Sequence, residues 1–286
     1  MDPIVAILFD CDGTLAPDTT DSFLQSCGID TVPFWKEMET RVEQGWDPPL
    51  AYLTKIIELA RSEALPNLTQ SRLKEFGKTI QPFPGLPEMF TEIRDLVSGV
   101  AKFADAGIEV EYYIISSGIQ DVVENTSLAS YMRGVFACRL TYDGKGRPVS
   151  VRTSVTFTEK TKFIYSINKG ITPEEMGTNP YAVNDAIAHE NRRVPFSNMI
   201  YIGDGPSDIP CFSMVKANGG EVLGVSEKPR KGYELARGNR LTLGPYTPDY
   251  RPGSDMRRML ETAIERICDD IVLQRQQRRT KGPSHG

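Results

Sequence analysis

The chain is predicted to fold as an α/β protein, a doubly wound, mostly parallel sheet with a helical cap inserted into it. Three observations carry this. Four short apolar runs recur along the chain, and each stops at a polar turn. Between the first and second runs the sequence switches to helical spacing with no strand in it. With 286 residues, 40% apolar and 25% charged, the chain has the size and balance for one large α/β domain plus a smaller one.

Ile4 to Phe9 (IVAILF) is a continuous apolar run of the kind buried on both faces of a parallel sheet, and it stops at Asp10. Glu109 to Ile115 stops at Ser116-Ser117-Gly118, Asn198 to Ile202 at Gly203-Asp204-Gly205, and Glu221 to Val225 at Ser226. In open α/β sheets ligands bind at the carboxyl ends of the strands, so these turns should converge. Asp21 to Gln25, Val32 to Gln44, Pro49 to Ser62 and Thr69 to Lys78 carry i, i+3, i+4 apolar spacing, which predicts a small helical bundle. Residues 17–81 are assigned to this cap, and 1–16 with 82–286 to the core. Leu86 to Ala106 reads as a core helix and Ile119 to Tyr131 as another. Cys138 to Tyr142 and Val149 to Phe157 flank a glycine-rich turn and read as a hairpin, and a helix begins at Thr158. Lys169 to Arg193 reads as an insertion with one helix over Tyr181 to Asn191. Asp255 to Gln274 is an amphipathic helix, followed by a basic tail (Arg275, Arg278, Arg279, Lys281) read as solvated.

Composition narrows the chemistry. A net charge of −5 disfavours a nucleic-acid binder, which needs a basic face. Five cysteines (Cys11, Cys27, Cys138, Cys211, Cys268) without a Cys-x-x-Cys pair suggest neither zinc nor a disulfide framework. Two histidines, His189 and His285, leave no basis for a multi-histidine metal site. No apolar run approaches the roughly 20 residues of a membrane helix, and Met1-Asp2-Pro3 lacks a signal peptide's basic start. A cytoplasmic protein with no nucleic-acid or membrane partner is expected; the oligomeric state is open.

Asp10-Cys11-Asp12-Gly13-Thr14 places two carboxylates at the end of a buried strand. Like charges that close need a cation or a proton to hold them together. Magnesium takes oxygen ligands and suits such a site. Gly13 permits the turn, and Thr14 offers a hydroxyl to a phosphate oxygen. An EF-hand is excluded, because the twelfth residue from Asp10 is Asp21 rather than glutamate. Asp204 and Asp208 form a second acidic pair after another buried strand. Ser116 and Ser117 offer hydroxyls and backbone N–H groups to a phosphoryl oxygen, and Lys160 or Lys162 would balance the carboxylates. Cys11, between the two acids, is expected to pack into the core rather than to act as a redox switch.

The order and spacing of these four elements resemble the haloacid-dehalogenase-like (HAD) superfamily of hydrolases, over Ile4 to about Val225, with Phe9-Asp10-Cys11-Asp12-Gly13-Thr14-Leu15 as the most specific piece. Within it the chain looks closest to phosphoserine-phosphatase-like members, which carry a helical cap between the first two motifs. The resemblance implies a Rossmann-like core and a phosphatase acting on a small phosphorylated substrate. Asp10 would be the nucleophile and Asp12 the general acid/base. Thr14, Ser116, Ser117 and Lys160 would hold the phosphate, with Lys162 as the alternative lysine. Asp10, Asp12 (through its backbone carbonyl), Asp204 and Asp208 would serve Mg2+. Asp12 also separates phosphatases and phosphomutases from dehalogenases, which lack the second acid.

The chain departs from phosphoserine phosphatases near Asp18 and Thr19, where they carry a glutamate that helps recognise the amino acid, and at Gly13, where they usually carry serine. Arg41 is the cap residue that could receive a carboxylate. Two alternatives stand beside hydrolysis: a phosphomutase or phosphotransferase, and a non-catalytic binding or regulatory protein of the same fold.

Overall fold

The computed structural model describes residues 2–62, 64–65 and 67–280. Seven strands, β1 (Ile4–Phe9), β2 (Glu109–Ile119), β3 (Gly134–Tyr142), β4 (Pro148–Thr153), β5 (Met199–Gly203), β6 (Glu221–Val225) and β7 (Leu243–Tyr246), form one sheet in the order β4-β3-β2-β1-β5-β6-β7. Only β3 and β4, the two arms of the expected hairpin, pair antiparallel. β1 is central, with β2 on one side and β5 on the other, so successive crossovers leave it in opposite directions and open a crevice at its end. Phe9 is in register with Ile114 of β2 and Ile202 of β5. Asp10 therefore leaves the sheet beside the polar ends of both neighbours.

Alternation along β1 separates two cores, as burial on both faces of a parallel sheet requires. Ile4, Ala6 and Leu8 join a cluster that extends to Phe23, Phe34 and Ile56, whereas Val5, Ile7 and Phe9 join Phe90, Ile93, Leu260 and Ile264. Among the described residues four helices lie between β1 and residue 81: α1 (Thr19–Ser26), α2 (Thr31–Glu43), α3 (Pro48–Arg61) and α4 (Gln70–Gly77). Each starts where a side chain accepts an otherwise unpaired backbone N–H: Asp18, Asp30, Asp47 and Thr69.

The remaining helices are α5 (Glu88–Gly99), α6 (Ala101–Asp105), α7 (Gln120–Val123), α8 (Phe157–Lys169), α9 (Pro173–Thr178), α10 (Ile209–Ala217), α11 (Pro229–Ala236) and α12 (Asp255–Thr280). Three differ from the sequence expectation. The Leu86 to Ala106 helix is broken at Val100, whose backbone is extended. The Ile119 to Tyr131 helix shrinks to α7, because β2 stays in the sheet as far as Ile119, opposite Cys138, and Gln120 bonds to the β3 backbone at Val135 and Ala137. Tyr181 to Asn191 forms two single 3-10 turns instead of one helix, since none of these residues is buried and no apolar face holds a helix down. Of the basic tail, Lys281 and the side chains of Arg278 and Arg279 lie outside the described residues, as does His285. Among the described residues no helix is long and apolar enough to cross a membrane.

Candidate active site

Asp10 begins the turn that follows β1. Its backbone N–H still donates to Ile202 at 2.9 Å, and its Oδ1 accepts from the Cys11 N–H at 2.7 Å. The chain then folds back on itself, with the Gly13 N–H donating to the Ala16 carbonyl. Gly13 sits at φ +74°, and a Cβ there would lie 2.1 Å from Asp204 Oδ2. Glycine is thus required twice, by conformation and by the approach of the second acidic turn. At Gly203 a Cβ would meet the Asp208 carboxyl at 2.5 Å, so both acidic turns depend on a missing side chain.

The turns converge on one buried ionic cluster. Lys160, on α8 and fully buried, reaches Asp10 Oδ2 at 2.9 Å and Asp208 Oδ1 at 2.7 Å. It also donates to Ser207 Oγ at 3.3 Å. Asp208 further accepts from the Tyr201 hydroxyl at 2.8 Å and the Gly205 N–H at 3.1 Å. Asp204 pairs with Lys231 on α11. Burial alone would strip charge from Lys160, but Asp10 and Asp208 override it and hold the ammonium well above its ordinary pKa. Burial and the Asp208 charge push Asp10 well up, with Lys160 opposing. Burial also raises Asp204, against Lys231.

Asp12 stands apart from this cluster. Its Oδ1 accepts from the Thr19 N–H at 2.8 Å, which ties it to the first residue of α1. Burial, then the nearby Asp18 charge, lift its pKa to about 7, with the Thr19 hydrogen bond working the other way. A carboxyl poised there can both give and take a proton near neutral pH.

Asp10, Asp204 and Asp208 each present a carboxylate oxygen, all within 4.8 Å of one another. Buried, anionic and made only of hard oxygen donors, this set fits Mg2+. Asp208 already accepts three hydrogen bonds, which leaves Asp10 and Asp204 as the better first ligands and Asp208 as their support. The Asp12 carboxylate is outside the group.

The other predicted residues separate. Ser116 is buried, and a Cβ on Gly118 would lie 3.2 Å from its hydroxyl and 3.1 Å from Asp12 Oδ2, so the two are neighbours. Ser117 lines the cavity over the acids, but its hydroxyl is spent on the Val155 carbonyl at 2.8 Å. The Thr14 hydroxyl is buried without a partner and does not line the cavity. Lys162 pairs with Glu159, away from the cluster, which singles out Lys160. Cys11 is fully buried among apolar neighbours, and burial with the adjacent acids pushes its thiol well up.

The cavity has a volume of about 1050 Å³, floored by Asp10, Asp12 and Asp204 and roofed by α2 and the start of α3. Sequence reasoning missed Lys231, Tyr52 and Thr19. Lys231 follows the polar end of the fourth apolar run, and the convergence rule could have directed attention there. Tyr52, whose hydroxyl donates to the Ser117 carbonyl, carries no such signal, because an aromatic residue on an apolar helix face reads as core.

The strand order, the helices between β1 and β2 and the acids at the strand ends define a haloacid-dehalogenase-like α/β fold. The fold is similar to that of phosphoserine phosphatases. A substrate-bound phosphoserine phosphatase superposes with a TM-score of 0.54 at 16% identity, covering 92% of this chain and 99% of the other. A probable phosphoserine phosphatase from Vibrio cholerae gives 0.53 at 15% identity, over 93% of this chain and 67% of its own. A HAD family hydrolase from Salmonella enterica serovar Typhi gives 0.52 at 14% identity, over 82% of this chain, which spans 65% of the Salmonella protein. In sequence, an uncharacterised protein of Borreliella burgdorferi is 27% identical over 235 residues, 74% of this chain and 78% of that protein. No protein-family model matches the chain.

Proposed function

We propose that this protein is a magnesium-dependent phosphomonoester hydrolase that works through an aspartyl-phosphate on Asp10. The observation that carries the reading is the division of labour between the two acids. Asp10 lies in the ionic cluster with Lys160 and Asp204, while Asp12 is held separately with its pKa near neutrality. Asp10 attacks phosphorus as the carboxylate, and the bond from phosphorus to the leaving oxygen breaks. Asp12, protonated, gives its proton to that oxygen and the alcohol departs. Asp12 then takes a proton from a water that attacks the phosphoryl group. The bond from phosphorus to Asp10 breaks, releasing phosphate and restoring the carboxylate.

Lys160 holds positive charge beside the attacked group, and Ser116 offers a hydroxyl next to Asp12. Bound to Asp10 and Asp204, with Asp208 in support, magnesium would supply charge neutralisation for the transferring phosphoryl group. The helices over residues 17–81 act as a cap that excludes water and sets specificity, with Thr19 linking their position to the acid/base. The substrate is a small phosphorylated metabolite. Arg41, the residue considered for a carboxylate, is paired with Glu37 and Glu58 and does not line the cavity, which counts against phosphoserine. Five free cysteines suit a cytoplasmic setting.

Hydrolysis of an aryl phosphate that requires magnesium and disappears in Asp10→Asn is the expected result. An inactive native protein across a phosphomonoester panel, or an active Asp10→Asn, would refute it. Release of phosphate with no second phosphorylated product separates hydrolysis from transfer to another acceptor.

A further inference from the structure

The cavity is polarised. Its lysines, Lys228 and Lys231, come from the core side, where Lys231 meets Asp204. Among the described residues the cap lines it with no lysine or arginine, and supplies instead Asp18 and, one helical turn apart on α2, Glu39 and Glu43. Neither glutamate has an ion-pair partner among the described residues, whereas Glu37 on the same helix is tied to Arg41 and Lys55. Aromatic walls accompany them. Trp35 and Tyr52 meet edge to face with ring centroids 5.9 Å apart, and Phe157, 41% exposed, faces the same space from the start of α8. Both cap rings are anchored, Trp35 by its indole N–H to Asp21 Oδ1 at 2.7 Å and Tyr52 by its hydroxyl to the Ser117 carbonyl. Anchored aromatic walls beside unpaired carboxylates are the surroundings that recognise an alkylammonium cation.

We propose that the enzyme selects phosphomonoesters of amino alcohols. The phosphate would sit over Asp10 and the ammonium between the aromatic walls and Glu39 and Glu43, with no carboxylate on the alcohol. This rests on the phosphatase reading above and adds the class of leaving group. A carboxylate on the alcohol would meet two unpaired glutamates and no cap cation, so a phosphorylated amino acid is disfavoured by the same wall that favours the amine.

The test compares kcat/KM of the full chain with magnesium on O-phosphoethanolamine, 2-hydroxyethyl phosphate, O-phosphoserine and an aryl phosphate. O-phosphoethanolamine should exceed 2-hydroxyethyl phosphate by about tenfold or more and exceed phosphoserine further. In the Glu39→Gln/Glu43→Gln double variant the ratio of ethanolamine to hydroxyethyl ester should collapse towards unity. Turnover of the aryl phosphate with no preference for the ammonium ester in the native chain would overturn the inference and leave the phosphatase reading standing. A preference that survives the double variant would overturn the assignment to Glu39 and Glu43. Inactivity on all four esters would remove the phosphatase reading and this inference with it. The native-chain comparison stands even where the variant does not fold.

Discussion

Replacing Lys160 by methionine keeps the length of the side chain and removes its charge. The consequence follows from the surroundings. Lys160 has no exposed surface and lies 2.9 Å from Asp10 and 2.7 Å from Asp208, both buried. Removing one partner of a buried charge set costs about 3–5 kcal/mol, because the remaining carboxylates must stay unpaired or take up protons. For a chain of this size each kcal/mol shifts the midpoint by about 2–4 °C, so thermal melts in chelator near neutral pH should fall by about 6–20 °C. Asp208→Asn on top of Lys160→Met removes one of the stranded charges. The double variant should therefore be more stable than the sum of the two single losses by about 1 kcal/mol or more. A Lys160→Met melt within about 2 °C of the native protein would refute the reasoning, as would strict additivity of the two substitutions.

Three further outcomes are expected. Gly13→Ala forces a left-handed alanine, costing about 1–2 kcal/mol, and drives its Cβ into Asp204 at 2.1 Å; titration calorimetry should show magnesium affinity lost out of proportion to the drop in melting temperature. Asp12, lifted to about 7 from its usual 3.8, favours the folded state while protonated. Its contribution is complete below about pH 4 and lost as pH rises through about 7, so in chelator the native protein should lose stability relative to Asp12→Asn across that window, as read from denaturant melts at several pH values. Magnesium at about 100 times its dissociation constant should stabilise the native protein by about 2.7 kcal/mol, and Asp204→Asn much less, measured as the shift in melting temperature.

The parts legible in the sequence were those set by local pattern. Ile4 to Phe9 and Glu221 to Val225 announce buried parallel strands because both faces of such strands are covered, and the structure reproduces both spans. The convergence of Asp10, Asp204 and Asp208 follows from strand ends meeting at one edge of the sheet. What local pattern could not reveal depends on partners far along the chain. β7 (LGPY) has neither the length nor the alternation of a strand and owes its place to pairing with β6. β2 continues through Ser116-Ser117-Gly118, a stretch that reads as a turn, because Ile119 pairs with Cys138. Lys160 and Lys162 are equivalent by sequence, and packing of α8 against α10 and the β5 turn buries the first completely and leaves the second half-buried. Lys231 and Tyr52 reach the site from α11 and α3, and each is one ordinary helical residue until the tertiary fold is known.

The central claim, that Asp10 carries the phosphoryl group, is tested most directly by acid-quenching the Asp12→Asn variant during turnover of an aryl phosphate with magnesium. An aryl oxide departs with little need of a proton, so loss of Asp12 should leave formation of the intermediate largely intact while slowing its hydrolysis by about 10²–10⁴-fold, and it accumulates. Mass spectrometry of the digested protein should then find a phosphoryl adduct on the peptide bearing Asp10, and none when Asp10→Asn is added. An adduct on another residue, or turnover with no adduct in Asp12→Asn, would contradict the account.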